Sequence, residues 1–214
     1  MYLSRVEIDT KNRRKIKDLI HLGAYHNWVE QSFPDEIKKS ERNRHLWRID
    51  RLNGHDYLLI FSEQKPNEHS LERYGVENTA EIKDYNPFLN KLMDGQILRF
   101  RLTANPTHRH DGKVLPHVTI EYQKKWLLDK AKQSGFDLNE EQFDIVNREY
   151  SPLYKKENRH VNLSKVSFEG ILKITDLNKF KQSLVSGIGR EKAFGMGLLT
   201  VIPVKQDGKQ KHWC

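Results

Sequence analysis

Apolar and polar residues alternate with a period of two in several stretches of this chain, and each stretch predicts a strand with one buried face. The first covers residues 1–8 and is opened by Tyr2, Leu3 and Val6. The second covers residues 45–52. Asn53-Gly54 follows it, a pair suited to a two-residue hairpin turn, and Tyr57-Leu58-Leu59-Ile60-Phe61 is the return strand. Residues 96–103 alternate again, and Asn105-Pro106 ends the run. Between the first strand and the hairpin the apolar spacing lengthens to that of a helix, through Ile16, Leu19, Ile20 and then Trp28 and Val29. Thr10 or Asn12 is the expected cap, and Gly23 predicts a break into two helical pieces. Residues 63–78 are polar and predict a loop with room for a short helix.

The second half repeats this order. Residues 114–120 predict an extended segment or loop. Residues 121–134 predict a helix with Trp126, Leu127 and Leu128 inside it and Gly135 closing it. Strand-like pieces fill residues 136–150, among them Phe143-Asp144-Ile145-Val146. Residues 161–174 form one long alternating strand. Asp176 caps a short helix bearing Leu177, Phe180, Leu184 and Val185. A glycine-rich loop then leads into the apolar run Leu198-Leu199-Thr200-Val201-Ile202, which stops at Pro203. Two units of βαββ(α)β order predict an α+β protein of two tandem ferredoxin-like (RRM-like) domains. The expected division is 1–104 for the first domain, 105–118 for a linker, 119–203 for the second domain and 204–214 for a basic tail. A single α+β domain with a large insertion is the competing architecture.

Composition narrows the classes of function. Hydrophobic residues make up 36% of the 214, and they fall in periodic segments, so folded domains are expected rather than disorder. There is no apolar run long enough to predict a membrane span. The first strand has no signal-peptide core, and the lone Cys214 cannot form an intrachain disulfide, so a reducing cytoplasm fits. Lys and Arg total 37 against 29 Asp and Glu, a net charge of +8. The excess is clustered: Arg13, Arg14, Lys15 and Lys17; then Lys155, Lys156, Arg159, His160 and Lys165; then Lys205, Lys209, Lys211 and His212. Clustered basic charge is the electrostatic footprint of nucleic-acid binding, although any one cluster also reads as a solvated surface.

The loop Gly187-Ile188-Gly189-Arg190-Glu191-Lys192-Ala193-Phe194-Gly195-Met196-Gly197 has two Gly-x-Gly pairs around five residues. It follows a helix and precedes a strand, the reverse of a dinucleotide-binding turn, and Lys192 stands where a third glycine would fall. No G-x-x-x-x-G-K-[ST] string occurs. Two readings stay open: a basic loop whose amides meet a phosphate backbone, or a tight turn that packs a helix on a strand.

No metal site is expected. His108-x-His110 beside Asp111 lacks further ligands, and no acidic cluster suits a two-metal nuclease. Cleavage of RNA does not need a metal, because the 2′-hydroxyl attacks the adjacent phosphorus and the 5′-oxygen leaves. Such a site must align these groups, move protons and steady the phosphate charge. Histidine suits the proton transfers and Lys or Arg the charge. His26, in Gly23-Ala24-Tyr25-His26-Asn27-Trp28, is the candidate, with the Tyr25 hydroxyl beside it. A histidine next to Trp28 also reads as a packing residue.

The opening Met1-Tyr2-Leu3-Ser4-Arg5-Val6, the string Leu98-Arg99-Phe100-Arg101-Leu102-Thr103-Ala104-Asn105-Pro106, the Ser167-Phe168-Glu169-Gly170 strand and the glycine loop occur in this order. Together they resemble the CasE family of CRISPR repeat-processing endoribonucleases, of type I-E, over residues 1 to about 203. The glycine loop fits that family's G-h-G-x5-G-h-G pattern, with Gly187, Gly189, Gly195 and Gly197 at the glycine positions. The resemblance implies two ferredoxin-like domains and cleavage of precursor CRISPR RNA within each repeat, beside a stem-loop. The implied products are a 2′,3′-cyclic phosphate or 3′-phosphate and a 5′-hydroxyl. The implied partners are the repeat RNA, the mature crRNA and the other subunits of the type I-E complex Cascade; no cofactor and no metal are implied. His26 falls where the family carries its catalytic histidine, as general acid or general base. Some members have an assisting tyrosine three residues earlier; that position here is Gly23, and Tyr25 is the nearest tyrosine.

The resemblance also implies that Lys155, Lys156, Arg159 and Lys165 flank a hairpin gripping the RNA stem. Arg13, Arg14, Arg101, Arg109, Arg190 and Lys192 are further candidate RNA contacts. The rival functions are a non-catalytic RNA-binding subunit, which would share charge and fold, and a small-molecule enzyme of the same fold. No RNP1 string of an ordinary RRM is present.

Overall fold

The computed structural model describes residues 1–39, 43–154 and 160–204. The first unit is built from β1 (Tyr2–Glu7), α1 (Leu22–Gln31), α2 (Pro34–Lys39), β2 (Leu46–Leu52), β3 (His55–Ser62), α3 (Glu68–Leu71) and β4 (Glu81–Asp84). Its four strands pair antiparallel in the order β2-β3-β1-β4. A short helix, α4 (Asn86–Asn90), leads out of it. The second unit contains β5 (Ile97–Ala104), a small hairpin of β6 (Thr107–His110) and β7 (Lys113–Pro116), α5 (Ile120–Gln133), β8 (Phe136–Tyr154), β9 (His160–Ile174), α6 (Leu177–Ser186) and β10 (Leu199–Pro203). Its sheet runs β10-β5-β9-β8, again antiparallel. In both sheets the unit's first and third strands are central, which is the ferredoxin-like arrangement expected from the element order.

Three expectations need correction. The boundary at residue 104 placed residues 96–103 in the first domain, yet β5 is hydrogen-bonded between β9 and β10 and is the second unit's first strand. The first unit's fourth strand is β4. Its four residues Glu81-Ile82-Lys83-Asp84 form an exposed edge without apolar alternation, so the pattern does not reveal it. The presumed linker 105–118 holds the β6–β7 hairpin, turned at Asp111-Gly112. The helix expected from Thr10 or Asn12 does not form there. Asp9 and Asn12 each accept the amide three residues on, through the side-chain oxygen (3.2 and 3.1 Å) and the backbone carbonyl (both 3.0 Å), so the segment runs as successive turns. The helix begins at Leu22 instead, capped by His21, whose Nδ1 accepts the Ala24 amide at 3.3 Å. Among the described residues no helix is long and apolar enough to cross a membrane.

The two units share their interior. The core built on Phe100, Leu102, Trp126, Phe136, Phe168 and Phe180 also takes Leu46, Phe61 and Tyr85 from the first unit. The core under α1, with Val6, Trp28, Trp47 and Leu58, takes Leu153 and Leu163 from the β8–β9 hairpin and Met196 from the glycine loop. Strand β2 is therefore covered on both faces, and Leu46, Trp47 and Arg48 are all buried.

Arg48 ties the sheets together. Its Nε and Nη2 donate to the Asp50 carboxylate, both at 2.7 Å. Its Nη1 donates to the carbonyls of Arg101 at 3.1 Å and Leu198 at 2.9 Å, and Nη2 reaches Thr200 Oγ1 at 2.9 Å. Arg101 stands 3.1 Å from Asp50 and pairs with Glu169. Burial pushes the Asp50 carboxyl up, but the Arg48 charge and hydrogen bonds, with Arg101 and Lys165, outweigh it and hold the group below its usual range.

Candidate active site

The first half of the candidate site is α1. Trp28 and Val29 face inward and are fully buried, and Trp28 Nε1 donates to the Leu71 carbonyl at 3.1 Å, which fixes the helix's rotation. His26 thereby stands near the rim, with 37% of its side chain exposed. Its Nδ1 faces Glu30 Oε1, one turn on, at 3.9 Å, an ion-pair distance rather than a hydrogen bond. Its ring meets the edge of Phe194, centroids 5.9 Å apart. Glu30 Oε1 also contacts His45 Nδ1 at 3.0 Å, and His45 Nε2 lies 3.3 Å from Glu36 Oε2.

Tyr25 packs against the core under α1. Its ring stacks on Trp47 at 6.0 Å and lies 6.5 Å from Trp28. Burial, and then the charge of Asp56, raise the phenol's pKa above its ordinary value, which disfavours the phenolate a general base needs. Tyr25→Phe is expected to keep the packing and to leave RNA cleavage within about threefold of wild type, well short of the loss from removing a proton-transfer group. A single-turnover cleavage assay checks this.

The glycine loop forms the floor. Gly187, Gly189, Gly195 and Gly197 all have positive φ, between 74° and 87°. A Cβ on Gly195 would lie 2.7 Å from the Trp47 ring, and one on Gly187 would lie 2.8 Å from Leu46. These glycines let the loop press against β2 of the first unit, which favours the packing reading of the motif. The amides of Ile188 and Gly197 are spent on the carbonyls of Gly197 and Thr103. Trp47 Nε1 donates to the Ala193 carbonyl at 3.0 Å, which seats the 3-10 turn Lys192–Phe194 and sets Phe194 beneath His26.

The basic candidates divide by what they already hold. Arg101 belongs to the Asp50 and Glu169 ion pairs, and Lys165 pairs with Glu149. Lys192 Nζ donates to the Ser186 carbonyl at 2.7 Å, closing the end of α6 beside Arg44. Burial, then the Arg44 charge, lower its pKa. These three serve the fold first. Arg13 and Arg14 are exposed on the loop before α1. Arg109 and Arg190, 81 residues apart by their numbers, line one cavity of about 300 Å³ with His108, Lys130 and Trp126. Lys155, Lys156 and Arg159 lie outside the described residues.

Residues 1–203 match the family model described as "CRISPR associated protein". The chain belongs to that family. The CRISPR-associated endoribonuclease Cse3 of Thermus thermophilus is 27% identical over 216 residues, covering 95% of this chain and 100% of its own length. A structure of CRISPR endoribonuclease Cse3 bound to 19 nt RNA superposes with a TM-score of 0.80 at 27% identity, over 95% of this chain and 100% of the other. Thermus thermophilus Cse3 bound to an RNA representing a pre-cleavage complex gives 0.78 at 26% identity, over 94% and 98%.

Within this CRISPR-associated chain, sequence reasoning missed Glu30, Glu36 and His45. They come from α1, α2 and the segment before β2, and no local motif joins them. The spacing of Glu30 four residues after His26 was the one legible sign. Lys130 and His108 were missed as companions of Arg109 and Arg190 for the same reason.

Proposed function

We propose that this protein is an endoribonuclease that cuts precursor CRISPR RNA within its repeat, beside the stem-loop, and keeps the crRNA hairpin as a subunit of Cascade in the cytoplasm. The 2′-hydroxyl attacks the neighbouring phosphorus and the 5′-oxygen leaves, with His26 moving a proton and no metal taking part. The observation that carries this reading is the placement of His26: half-exposed on α1, backed by Glu30 and floored by Phe194 of the second unit. A proton-transfer group needs one nitrogen free for substrate and one held in place, and the Nδ1–Glu30 contact leaves Nε2 for the RNA. Family membership and the likeness to an endoribonuclease over the whole fold support the substrate class. Arg13, Arg14, Arg109 and Arg190 are the described cations best placed for phosphates, and A-form RNA is gripped through its backbone and shape.

The test is incubation of the protein, in EDTA, with a hairpin-containing repeat RNA and with the same RNA carrying 2′-deoxy at the cut. The expected result is one cut in the first RNA, leaving a 2′,3′-cyclic phosphate or 3′-phosphate and a 5′-hydroxyl. The second RNA is bound but not cut, and affinity falls steeply with added salt. Binding of both RNAs with no cut in either would make the protein a non-catalytic RNA-binding subunit. Cleavage that stops in EDTA would end the metal-free mechanism.

A further inference from the structure

Two imidazoles and two carboxylates form a chain behind the exposed edge of α1. Glu30 Oε1 lies 3.9 Å from His26 Nδ1 and 3.0 Å from His45 Nδ1. The side chain of His45 is 1% exposed, and its Nε2 is 3.3 Å from Oε2 and 3.4 Å from Oε1 of Glu36. Glu36 is buried, and its Oε2 also accepts the Asn43 amide at 3.3 Å. The Phe33 ring lies flat on the His45 ring, 3.8 Å between centroids and 3° from parallel. Nothing in the cleavage reaction requires a buried histidine clamped between two carboxylates, so its purpose must lie in what it holds.

A neutral imidazole offers one N–H and one lone pair. His45 has a carboxylate at each ring nitrogen, and it serves both as a donor only when both nitrogens carry protons. The 3.0 Å contact with His45 also helps to fix Glu30, whose side chain is 32% exposed.

We propose that Glu30, held by His45 and Glu36, is a positioning residue that orients the His26 ring with Nε2 toward the RNA, so that His26 acts as the general acid. This inference rests on the reading of His26 as the catalytic histidine. In the step it serves, the 2′-oxygen bonds to phosphorus as its proton passes to water. The P–O5′ bond breaks, its electron pair goes to O5′, and His26 Nε2–H supplies the proton. The imidazole left behind takes a proton back from water. RNA laid over α1 excludes water from the His26–Glu30 pair and strengthens their attraction.

The test compares single-turnover cleavage by wild type, His26→Ala, Glu30→Gln and Glu30→Asp on two RNAs. One is the ordinary repeat; the other has sulfur in place of O5′ at the cut, a leaving group that departs without a proton. On ordinary RNA, Glu30→Gln is expected to cut about tenfold more slowly, as a misplaced catalytic group does. Glu30→Asp falls between it and wild type, and binding of the 2′-deoxy RNA is unchanged in both. On the sulfur RNA, His26→Ala and Glu30→Gln both regain the wild-type rate, which a merely structural defect would not allow. Wild-type cleavage of ordinary RNA by Glu30→Gln, or an equal defect on both RNAs, overturns the inference while a slow His26→Ala leaves the function standing. If His26→Ala cuts ordinary RNA as fast as wild type, the reading and the inference fall together.

Discussion

Replacing His26 with alanine is expected to lower the single-turnover rate of repeat cleavage by about 10²–10⁴-fold, the usual loss when a positioned proton-transfer group is removed. The same change should leave the protein folded and able to bind RNA. The His26 side chain is 37% exposed, and its described partners are the 3.9 Å contact with Glu30 and the edge of Phe194. Substitutions at such surface positions usually shift stability by about 0.5 kcal/mol or less. The measurement pairs cleavage of the ordinary repeat with the affinity for its 2′-deoxy form and with thermal unfolding. A large rate loss at unchanged affinity and midpoint places the defect in the chemical step. A rate within about threefold of wild type would remove His26 from the chemistry, since proton transfer by a side chain contributes about a hundredfold at the least. A fall in affinity that matches the fall in rate would make His26 an RNA contact instead.

How far the sequence disclosed this arrangement depends on the range of the forces involved. Elements set by local spacing were legible: the hairpin at Asn53-Gly54, the helix α5, the Asp176 cap of α6 and the long strand β9. Elements set by contact with another part of the chain were not. Strand β4 has no alternation because it is an exposed edge held only by β1. That hid the true fourth strand, so the β5 alternation was placed one domain too early. The glycine loop shows its conformation in its residue types, but Trp47 and Leu46, against which the glycines press, lie about 140 residues away. Arg101 and Lys165 read as free cations because their partners Asp50, Glu169 and Glu149 are brought to them only by sheet register. Within the candidate site the same limit applies. His26 was identified through a resemblance and through the chemistry of its side chain, whereas the Glu30–His45–Glu36 chain exists only after α1, α2 and the start of β2 have packed.

Arg48→Met is the second large effect, and it acts through the fold. Arg48 is fully buried at the seam where β2 meets the second sheet, and methionine has a comparable reach without the charge. The substitution strips Asp50 of its bidentate partner and leaves the Leu198 carbonyl without its donor. Breaking a buried pair by removing one member costs about 3–5 kcal/mol, and the Arg101 contact that Asp50 retains at 3.1 Å favours the lower end of that range. For a chain of this size that corresponds to a fall in the unfolding midpoint of about 6–20 °C. The pH dependence gives a second check. The carboxyl of Asp50 is held below its usual range in the folded protein, so its contribution to stability is present above the unfolded pKa of about 4 and is lost as pH falls through the folded value. The gap between wild type and Arg48→Met should therefore be widest near neutral pH and should narrow on acidification. A gap that stays constant from neutral pH to about pH 3 would show that lost packing, not the ion pair, is the cause. Cleavage should suffer as well, since the seam that Arg48 closes also holds Trp47 against the glycine loop and Phe194 under His26. Loss of that register moves the floor of the site relative to α1. The rate defect should therefore shrink when the assay temperature is lowered well below the variant's midpoint, which the defect of His26→Ala will not do.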